Sequence, residues 1–279
     1  MNKDNQRIKD KVMSTLARTF RLLHNKSQPL ILPNAWDAGS PRLFEDLGAT
    51  AIATTSAGVC WSLGYPDGNV LPTCLLADLA TNITRVIQVP LSVDIEGGYS
   101  DSPDEVGENV KPLLDAGVIG INIGEGEDSP DLLEAKIESV RRTSSILDID
   151  LFINARTDVY LRSLVPERER VQETINRAAR YLTAGADCFF VPGLVDTNSI
   201  EEIAKEIEMP LNVAAWPGLP PVTDLGKLSV RRLSSGSGIP QILWKHVAEL
   251  AKRFLETGDS KLMSENCMSH AQLQELFSA

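Results

Sequence analysis

LSVDIEGGYSDSPDEVGENVKPLLDAGVIGINIGEGE, residues 91–127, contains one complete strand–helix–strand unit and decides the fold. The runs at 91–95 and 119–123 are mainly apolar, which is typical of parallel strands buried on both faces. The segment 103–115 between them has helical polarity, and Gly117 follows it as a helix stop. The unit therefore predicts a parallel sheet whose strands are connected by helices.

The same alternation continues along the chain in both directions. Eight predicted strands separated by helical segments, in 279 residues, predict a single α/β domain, a (β/α)8 TIM barrel, which takes about 250 residues. No GxGxxG motif follows a strand to indicate a dinucleotide-binding sheet. The other six predicted strands are residues 30–32, 51–54, 151–155, 188–191, 211–214 and 230–233.

The barrel is expected to carry extra segments at both ends. Residues 6–25 have the pattern of an amphipathic helix before the first strand. The Gly-Asp-Ser sequence at 258–260 interrupts the last barrel helix. We therefore predict a barrel with its N-terminal helix at residues 1–258 and a tail at residues 259–279, with a short helix around residues 271–277.

Composition limits the partners and the compartment. The net charge of -11, from 38 acidic and 27 basic residues, disfavours binding to nucleic acid and to anionic membranes. It does not exclude an anionic substrate, because a bound cation can reverse the local field. The four cysteines form no CxxC pair, and no run approaches the roughly 18 apolar residues of a membrane helix. These features predict a cytoplasmic protein with reduced thiols.

Acidic side chains follow several predicted strands, at the end of a barrel where active sites lie. Asp67, Asp94, Glu96 and Glu125 are expected to converge there, with Arg156 opposite them. Facing carboxylates cannot all stay ionised without a cation, and oxygen ligands of this kind suit Mg²⁺ or Mn²⁺. An arginine in the same place suits a substrate carboxylate, which it binds through two hydrogen bonds.

Each of these features also has a plainer interpretation. Arg156 and Asp158 can form a structural ion pair at the barrel rim, and the Ser-Ala-Gly sequence at 56–58 can be an ordinary tight turn. Trp36 can belong to the core, and Cys60 is best interpreted as a small buried residue. Convergence of the acids with an arginine, rather than any single residue, favours a functional site. Surface positions are expected for the histidines, His24, His246 and His270.

Five segments together resemble the isocitrate lyase/phosphoenolpyruvate mutase superfamily over about residues 20–255. The resemblance implies a TIM barrel, often with its last helix exchanged between subunits of a dimer or tetramer. It also implies Mg²⁺ beneath a small α-keto or α-hydroxy acid that reacts through an enolate-like intermediate. The segments are LPNAWDAGSPRLFEDLGATAIATTSAGVCWSLGYPDG, PLSVDIEGGYSD, AGVIGINIGEGE, INARTDVY and AGADCFFVPGL.

The resemblance implies roles for individual residues. Asp94 matches the direct metal ligand, Glu96 the second acid of the D-x-D pattern, and Asp67 the outer-shell acid of the S-x-G-x-P-D segment. Arg156 matches the ARTD arginine that binds a carboxylate. Other substrate contacts are assigned to Thr55, Ser56 and Ala57, whose turn offers backbone N–H groups, and to Trp36 and Asn154.

Two departures from the superfamily affect the chemistry. Where the family has an acid after the fourth strand, this chain has Gly124, and we assign Glu125, one position later, to the metal site. The gate loop is also missing, because the chain passes from Glu127 almost directly into the next helix, as in a short-loop, phosphonomutase-like subgroup. A gate loop excludes water and delivers an acid. Tyr65 or Tyr99 is then the candidate proton donor.

Three functions remain open from the sequence. The first is a metal-dependent lyase that cleaves a C–C bond or decarboxylates a small keto or hydroxy acid. The second is phosphonomutase chemistry at a P–C bond, and the third is a barrel that binds a metabolite without turnover. A lysine Schiff base has little support, because no predicted strand end carries a lysine.

Overall fold

Pro33 divides the first strand of the barrel into two pieces, since proline has no N–H to donate to a strand ladder. In the computed structural model, which describes residues 3–265 and 267–278, these pieces are β1 (Leu30–Leu32) and β2 (Asn34–Ala35). β1 pairs with the last strand, β9 (Val230–Ser234), and β2 pairs with β3 (Ile52–Thr54). The divided strand therefore joins the two ends of the sheet and closes the barrel.

All strand pairs are parallel and follow chain order, so the predicted TIM barrel is confirmed. The remaining strands are β4 (Leu91–Asp94), β5 (Gly120–Gly124), β6 (Phe152–Arg156), β7 (Cys188–Phe190) and β8 (Leu211–Ala214). The α-helices are α1 (Lys3–His24), α2 (Ser40–Asp46), α3 (Ser56–Ser62), α4 (Thr73–Val86), α5 (Pro103–Asp115), α6 (Pro130–Ile146), α7 (Arg170–Ala184), α8 (Thr197–Glu206), α9 (Val222–Lys227), α10 (Gly238–Thr257) and α11 (His270–Phe277).

Local sequence sets the helix ends near the barrel mouth. The side chains of Ser102 and Ser129 accept hydrogen bonds from backbone N–H groups in the first turns of α5 and α6, and a proline follows each serine. Gly185 ends α7 in the left-handed conformation, with φ of 107°. The tight turn considered at 56–58 is instead the beginning of α3, a seven-residue helix.

α1 packs against the N-terminal ends of the strands, opposite the mouth. The Phe20 ring meets the Phe152 ring edge to face at 5.0 Å, and His24 stacks on Phe152 at 4.4 Å. His24 is 1% exposed, so the expected surface position is wrong for this histidine. The periodicity places it on a helix, but only the fold shows that this turn of the helix meets the barrel interior.

Burial and the nearby Arg232 charge lower the pKa of His24 to about 3. The two remaining histidines, His246 and His270, lie on exposed helix surfaces as expected.

The last barrel helix, α10, turns a row of apolar side chains towards solvent. Pro240 is its one buried residue among those described. α11 instead returns to its own barrel, where the Leu276 carbonyl accepts a hydrogen bond from Arg42 Nε of α2 at 2.9 Å. Within the described residues, no helix has the length and apolar content needed to cross a membrane. The exposed apolar residues of α10 are Ile239, Ile242, Leu243, Trp244, Val247, Leu250, Phe254 and Leu255.

We expect His24 to make the stability of the protein sensitive to pH. Its pKa is about 3 in the folded state against 6.5 ordinarily, so unfolding takes up a proton between these pH values. The unfolding free energy should therefore fall as the pH drops from 6.5 towards 3, by up to about 1.4 kcal/mol per pH unit from this group. Urea unfolding of the wild type and His24→Leu at several pH values measures this contribution. Equal pH slopes for the two proteins would contradict the assignment.

Candidate active site

Asp94 ends β4 and lies at the barrel mouth, held by the backbone around it. Its own N–H donates to Thr54 Oγ1 at 2.8 Å, and its Oδ1 accepts the N–H of Glu96 at 2.9 Å. Burial raises the pKa of the Asp94 carboxyl, and the positive charge of Arg156 opposes that rise. Asp94 and Arg156 therefore end strands that are separated only by β5, and the charge of Arg156 favours the ionised form of Asp94.

Arg156 ends β6 and is paired with a buried carboxylate. Its Nη2 donates to Asp158 Oδ2 at 3.2 Å, and its Nε lies 3.2 Å from Asp158 Oδ1. Burial alone would lower the pKa of Arg156, but the charges of Asp158 and Asp94 outweigh it and raise the pKa. The ion pair considered from the sequence is therefore present, and it holds the Arg156 guanidinium at the end of β6.

Gly124 leaves the space that the Arg156 guanidinium occupies. A Cβ atom at this position would lie 2.5 Å from Arg156 Nε and 2.8 Å from its Cζ. Gly124 and Arg156 are direct partners in the β5–β6 ladder, so their inward faces lie side by side. The glycine that departs from the superfamily pattern thus has a physical role in this chain.

Cys60, Asp67 and Glu96 form a compact group whose ligand atoms all lie within 4.8 Å of one another. Asp67 is exposed on the loop between α3 and α4, whereas Cys60 and Glu96 are buried. Burial first, and then the charges of Glu96 and Asp67, raise the pKa of the Cys60 thiol to about 12. Cys60 is therefore buried and protonated. The candidate metal ligands of this group are the carboxylate oxygens of Asp67 and Glu96.

The Glu96 carboxylate already has backbone partners. Its Oε2 accepts the N–H of Gly68 at 2.9 Å and the N–H of Asn69. Its Oε1 lies 3.8 Å from the Cys60 sulfur, which can donate to it. Burial raises the pKa of Glu96, and the Asn69 N–H opposes this. One oxygen thus holds a loop, and the other remains as a possible ligand.

The structure does not bring Glu125 together with these acids. Its carboxylate accepts Thr157 Oγ1 at 2.6 Å and the N–H of Asp158 at 2.9 Å, and it also bonds Tyr181. Arg177 Nη1 lies 2.5 Å from its Oε1. All these partners belong to α7 or to the segment after β6. In the described part of the chain, Glu125 therefore orients the backbone next to Arg156 rather than joining Cys60, Asp67 and Glu96.

Thr55, Ser56 and Ala57 lie where β3 runs into α3. Thr55 precedes the first helical residue, and its N–H donates to Ala35 O at 2.9 Å. Ser56 and Ala57 are the first residues of the helix, where N–H groups lack an acceptor within the helix. These N–H groups can donate hydrogen bonds to a substrate oxygen.

The other residues that the sequence assigns to substrate contacts or proton transfer lie partly at the mouth and partly outside it. Trp36 is partly buried and packs edge to face on Phe44 at 6.1 Å. Asn154 is fully buried within the barrel and donates to Asn122 Oδ1 at 3.0 Å. Tyr65 lines an outer groove between α3 and α10, and the Tyr99 hydroxyl is buried without a hydrogen-bond partner among the described residues.

Lys136 is a residue near the mouth that the sequence argument missed. It lies on α6, is 2% exposed, and donates from Nζ to Gly97 O at 2.9 Å, just after β4. Strand periodicity identifies the residues at strand ends, whereas it does not show that a lysine on a helix reaches the turn after β4. Burial lowers its pKa, and the charges of Asp128 and Asp101 oppose this.

A closed parallel barrel with acids and an arginine at the C-terminal ends of its strands defines a TIM barrel with its site at the usual face. Comparison with known proteins gives the family. The profile of the phosphoenolpyruvate phosphomutase family matches residues 20–255, so the chain belongs to this family and to the isocitrate lyase/phosphoenolpyruvate mutase superfamily. Members of the superfamily are lyases or phosphonomutases.

Relatives cover most of the chain. An uncharacterized protein of Mycobacterium tuberculosis is 37% identical over 257 residues, which are 92% of this chain and 95% of that protein. Oxaloacetate decarboxylase 1 of Pseudomonas fluorescens is 30% identical over 238 residues, covering 80% of this chain and 79% of the enzyme. A crystal structure from Burkholderia cenocepacia, provisionally described as a phosphonomutase, superposes with a TM-score of 0.81 and 35% identity, covering 85% of this chain and 99% of the other.

We expect Gly124→Ala to displace Arg156 and weaken the binding of a small dicarboxylate. The added methyl group needs the space of the guanidinium, and loss of a charge-assisted hydrogen bond costs about 1.5–3 kcal/mol, or roughly tenfold or more in affinity. Titration calorimetry with oxalate and Mg²⁺ measures the change. Gly238→Ala is the matched control, because a Cβ atom there meets nothing within 4 Å. Equal oxalate affinities for the two variants would show that Gly124 does not serve Arg156.

Proposed function

We propose that the protein is a divalent-metal-dependent lyase for a small α-keto or α-hydroxy carboxylate. The reaction is C–C cleavage or decarboxylation through an enolate-like intermediate. The observation that carries the proposal is the group of Asp67 and Glu96, whose carboxylate oxygens lie within 4.8 Å of each other and of the Cys60 sulfur at the end of the barrel where Asp94 ends β4 and Arg156 ends β6. The similarity to an oxaloacetate decarboxylase supports the same class of substrate.

The residues at the mouth fit a hard divalent cation. Asp94, Asp67 and Glu96 Oε1 are the carboxylate oxygens that would hold such an ion. Burial raises the pKa of both Asp94 and Glu96, and the neighbouring negative charges add to this rise, so a cation would stabilise the ionised forms. Mg²⁺ and Mn²⁺ prefer such oxygen ligands and usually keep several waters. When bound, the ion supplies Lewis-acid polarisation of the substrate oxygen.

The residues of the chain have separate tasks in this proposal. Arg156 holds the substrate carboxylate through its planar guanidinium, and Asp158 keeps that guanidinium in place. The N–H groups of Ser56 and Ala57 stabilise negative charge that develops on the substrate oxygen.

The remaining tasks concern position and proton transfer. Thr55 joins the end of β3 to the helix that presents the N–H groups, Trp36 directly follows β2, and Asn154 precedes Arg156 by two residues in β6. Glu125 orients the Asp158 backbone. Tyr65, two residues before Asp67 on the same loop, is the proposed proton donor, a role that requires its side chain to turn from the groove between α3 and α10 towards the mouth.

A phosphonomutase is the second candidate, and the family match favours it. The same ion and arginine would then hold a phosphonate or phosphate ester. The short connection between β5 and α6, residues 125–129, leaves the mouth without a long covering loop. Free access of water favours hydrolytic or decarboxylating chemistry over transfer of a reactive phosphoryl group, because water competes for such intermediates.

We also propose that the protein works in the cytoplasm as a homo-oligomer. Cys74 and Cys267 are exposed and unpaired, which suits a reducing compartment. The apolar face of α10 supports packing against a second copy, through exchange of this helix, because monomers rarely leave such a row in solvent.

We expect Mg²⁺- or Mn²⁺-dependent release of CO₂ or pyruvate from at least one member of a panel of C4 to C6 keto and hydroxy acids. Asp94→Ala should lower turnover by at least about 100-fold, the scale seen when one electrostatic group of an active site is removed. Asp104→Ala, at an exposed carboxylate on α5, is the control. Turnover that survives both chelation and Asp94→Ala contradicts the proposal, and oxalate binding without any turnover favours a metabolite-binding barrel.

We expect the wild type to be a dimer or a larger assembly by light scattering during size-exclusion chromatography. The double variant Leu243→Asp/Leu250→Asp, which places two charges on the apolar face of α10, should shift it to the monomer. Lys245→Asp/Lys252→Asp has the same spacing on the polar face and should leave the assembly unchanged. A monomeric wild type at micromolar concentration would contradict the oligomer.

A further inference from the structure

We propose that Asn69 is a positioning residue that fastens the loop carrying Asp67 to the end of β4. The mouth loop is defined as residues 64–71, and the β4 turn as residues 96–99. The inference rests on the proposed function in one respect, the assignment of Asp67 to the metal and substrate site. The fastening itself is a matter of hydrogen bonds and backbone geometry.

The two segments hold each other by reciprocal side-chain-to-backbone bonds. The Glu96 carboxylate accepts the N–H groups of Gly68 and Asn69 from the mouth loop. In return, Asn69 Oδ1 accepts the N–H of Gly97 at 3.2 Å and the N–H of Tyr99 at 2.9 Å. Four backbone N–H groups are thus satisfied by two side chains, one from each segment.

The backbone at this junction is held in an unfavourable conformation. Asn69, Glu96 and Tyr99 have φ values of 64°, 53° and 60°, in the left-handed region. Asparagine tolerates this region, but a glutamate or tyrosine there is strained and keeps this conformation only when its surroundings hold it. The reciprocal hydrogen bonds hold these residues in that conformation, because they use the backbone N–H groups that it exposes.

The β4 turn is also fixed from the sides away from the mouth loop. Lys136 Nζ of α6 donates to Gly97 O at 2.9 Å, and Asn109 Nδ2 of α5 donates to Gly98 O at 3.0 Å. The N–H of Gly124 donates to Glu96 O at 2.8 Å. The turn is therefore a rigid anchor that α5, α6 and β5 hold in place.

The middle of the mouth loop, residues 66–70, has little else to hold it, whereas Gly64 and Tyr65 bond back to α3 and Leu71 is buried in the core. Residues 66–70 are exposed, and in the described structure all of their hydrogen bonds run to the β4 turn. The Asp67 side chain makes none of its own among the described residues. Its distance from Glu96 and Asp94 therefore depends on the bonds at the next two residues, Gly68 and Asn69.

The test is Asn69→Gly, which keeps the left-handed backbone accessible and removes the side chain whose Oδ1 accepts the two N–H groups. Asp148→Gly is the matched control, because Asp148 also has a left-handed φ, 56°, and is exposed between α6 and β6 at the opposite end of the barrel. In Asn69→Gly, we expect amide hydrogen exchange, measured by NMR, to be about tenfold or more faster at Gly68, residue 69, Gly97 and Tyr99. In Asp148→Gly, the exchange rates of these four amides should stay as in the wild type. Asn69→Asp, which keeps an acceptor oxygen, should restore most of the protection.

The effect on function is measured separately. With the acid from the panel that the wild type turns over, Asn69→Gly should lower kcat by about tenfold, while calorimetry shows Mn²⁺ affinity within about threefold of the wild type, because Asp94 is intact. Unchanged exchange at all four amides would overturn the fastening. Faster exchange with unchanged kcat would overturn the positioning of Asp67. A wild type that turns over no acid, with the expected exchange, is a failure of the proposed function and leaves the fastening supported.

Discussion

The mouth of this barrel depends on holding several carboxylates close together in a partly buried place. Burial raises the pKa of Asp94 and Glu96, and each negative charge adds to the effect on its neighbours. The chain opposes this repulsion with fixed positive groups, namely the guanidinium of Arg156 and the backbone N–H groups that face Glu96. The positions of these backbone groups therefore also set the balance of charge at the mouth, and under the proposed function a divalent cation would complete that balance.

The sequence predicts the barrel and the central pair of the site because both follow from strand periodicity. Asp94 and Arg156 end their strands, and parallel strands all end at the same face. Glu125 escapes the prediction because successive residues of a strand point to opposite faces. Gly124 faces Arg156 inside the barrel, so Glu125 turns outward to Arg177 of α7. The number of acidic residues after a strand does not show whether a given side chain points into the barrel or out towards the helices.

Other features were unpredictable because they depend on which elements meet. Periodicity places His24 on a helix but does not show that this helix closes the bottom of the barrel, where the ring stacks on Phe152. Lys136 belongs to a helix, yet its long side chain reaches the turn after β4. α3, with seven residues, is too short to show a helical period. The local sequence pattern therefore predicts the helices and strands. Which side chains reach the site then depends on their length and on which elements pack together.

The fit of Gly124 beneath Arg156 has an evolutionary consequence. A side chain at position 124 would overlap the guanidinium that this chain places there. A substitution of Gly124 alone therefore displaces the arginine, whereas a paired change that also moves or shortens the side chain at position 156 is sterically consistent. The effect of a substitution at one of the two positions therefore depends on the residue at the other.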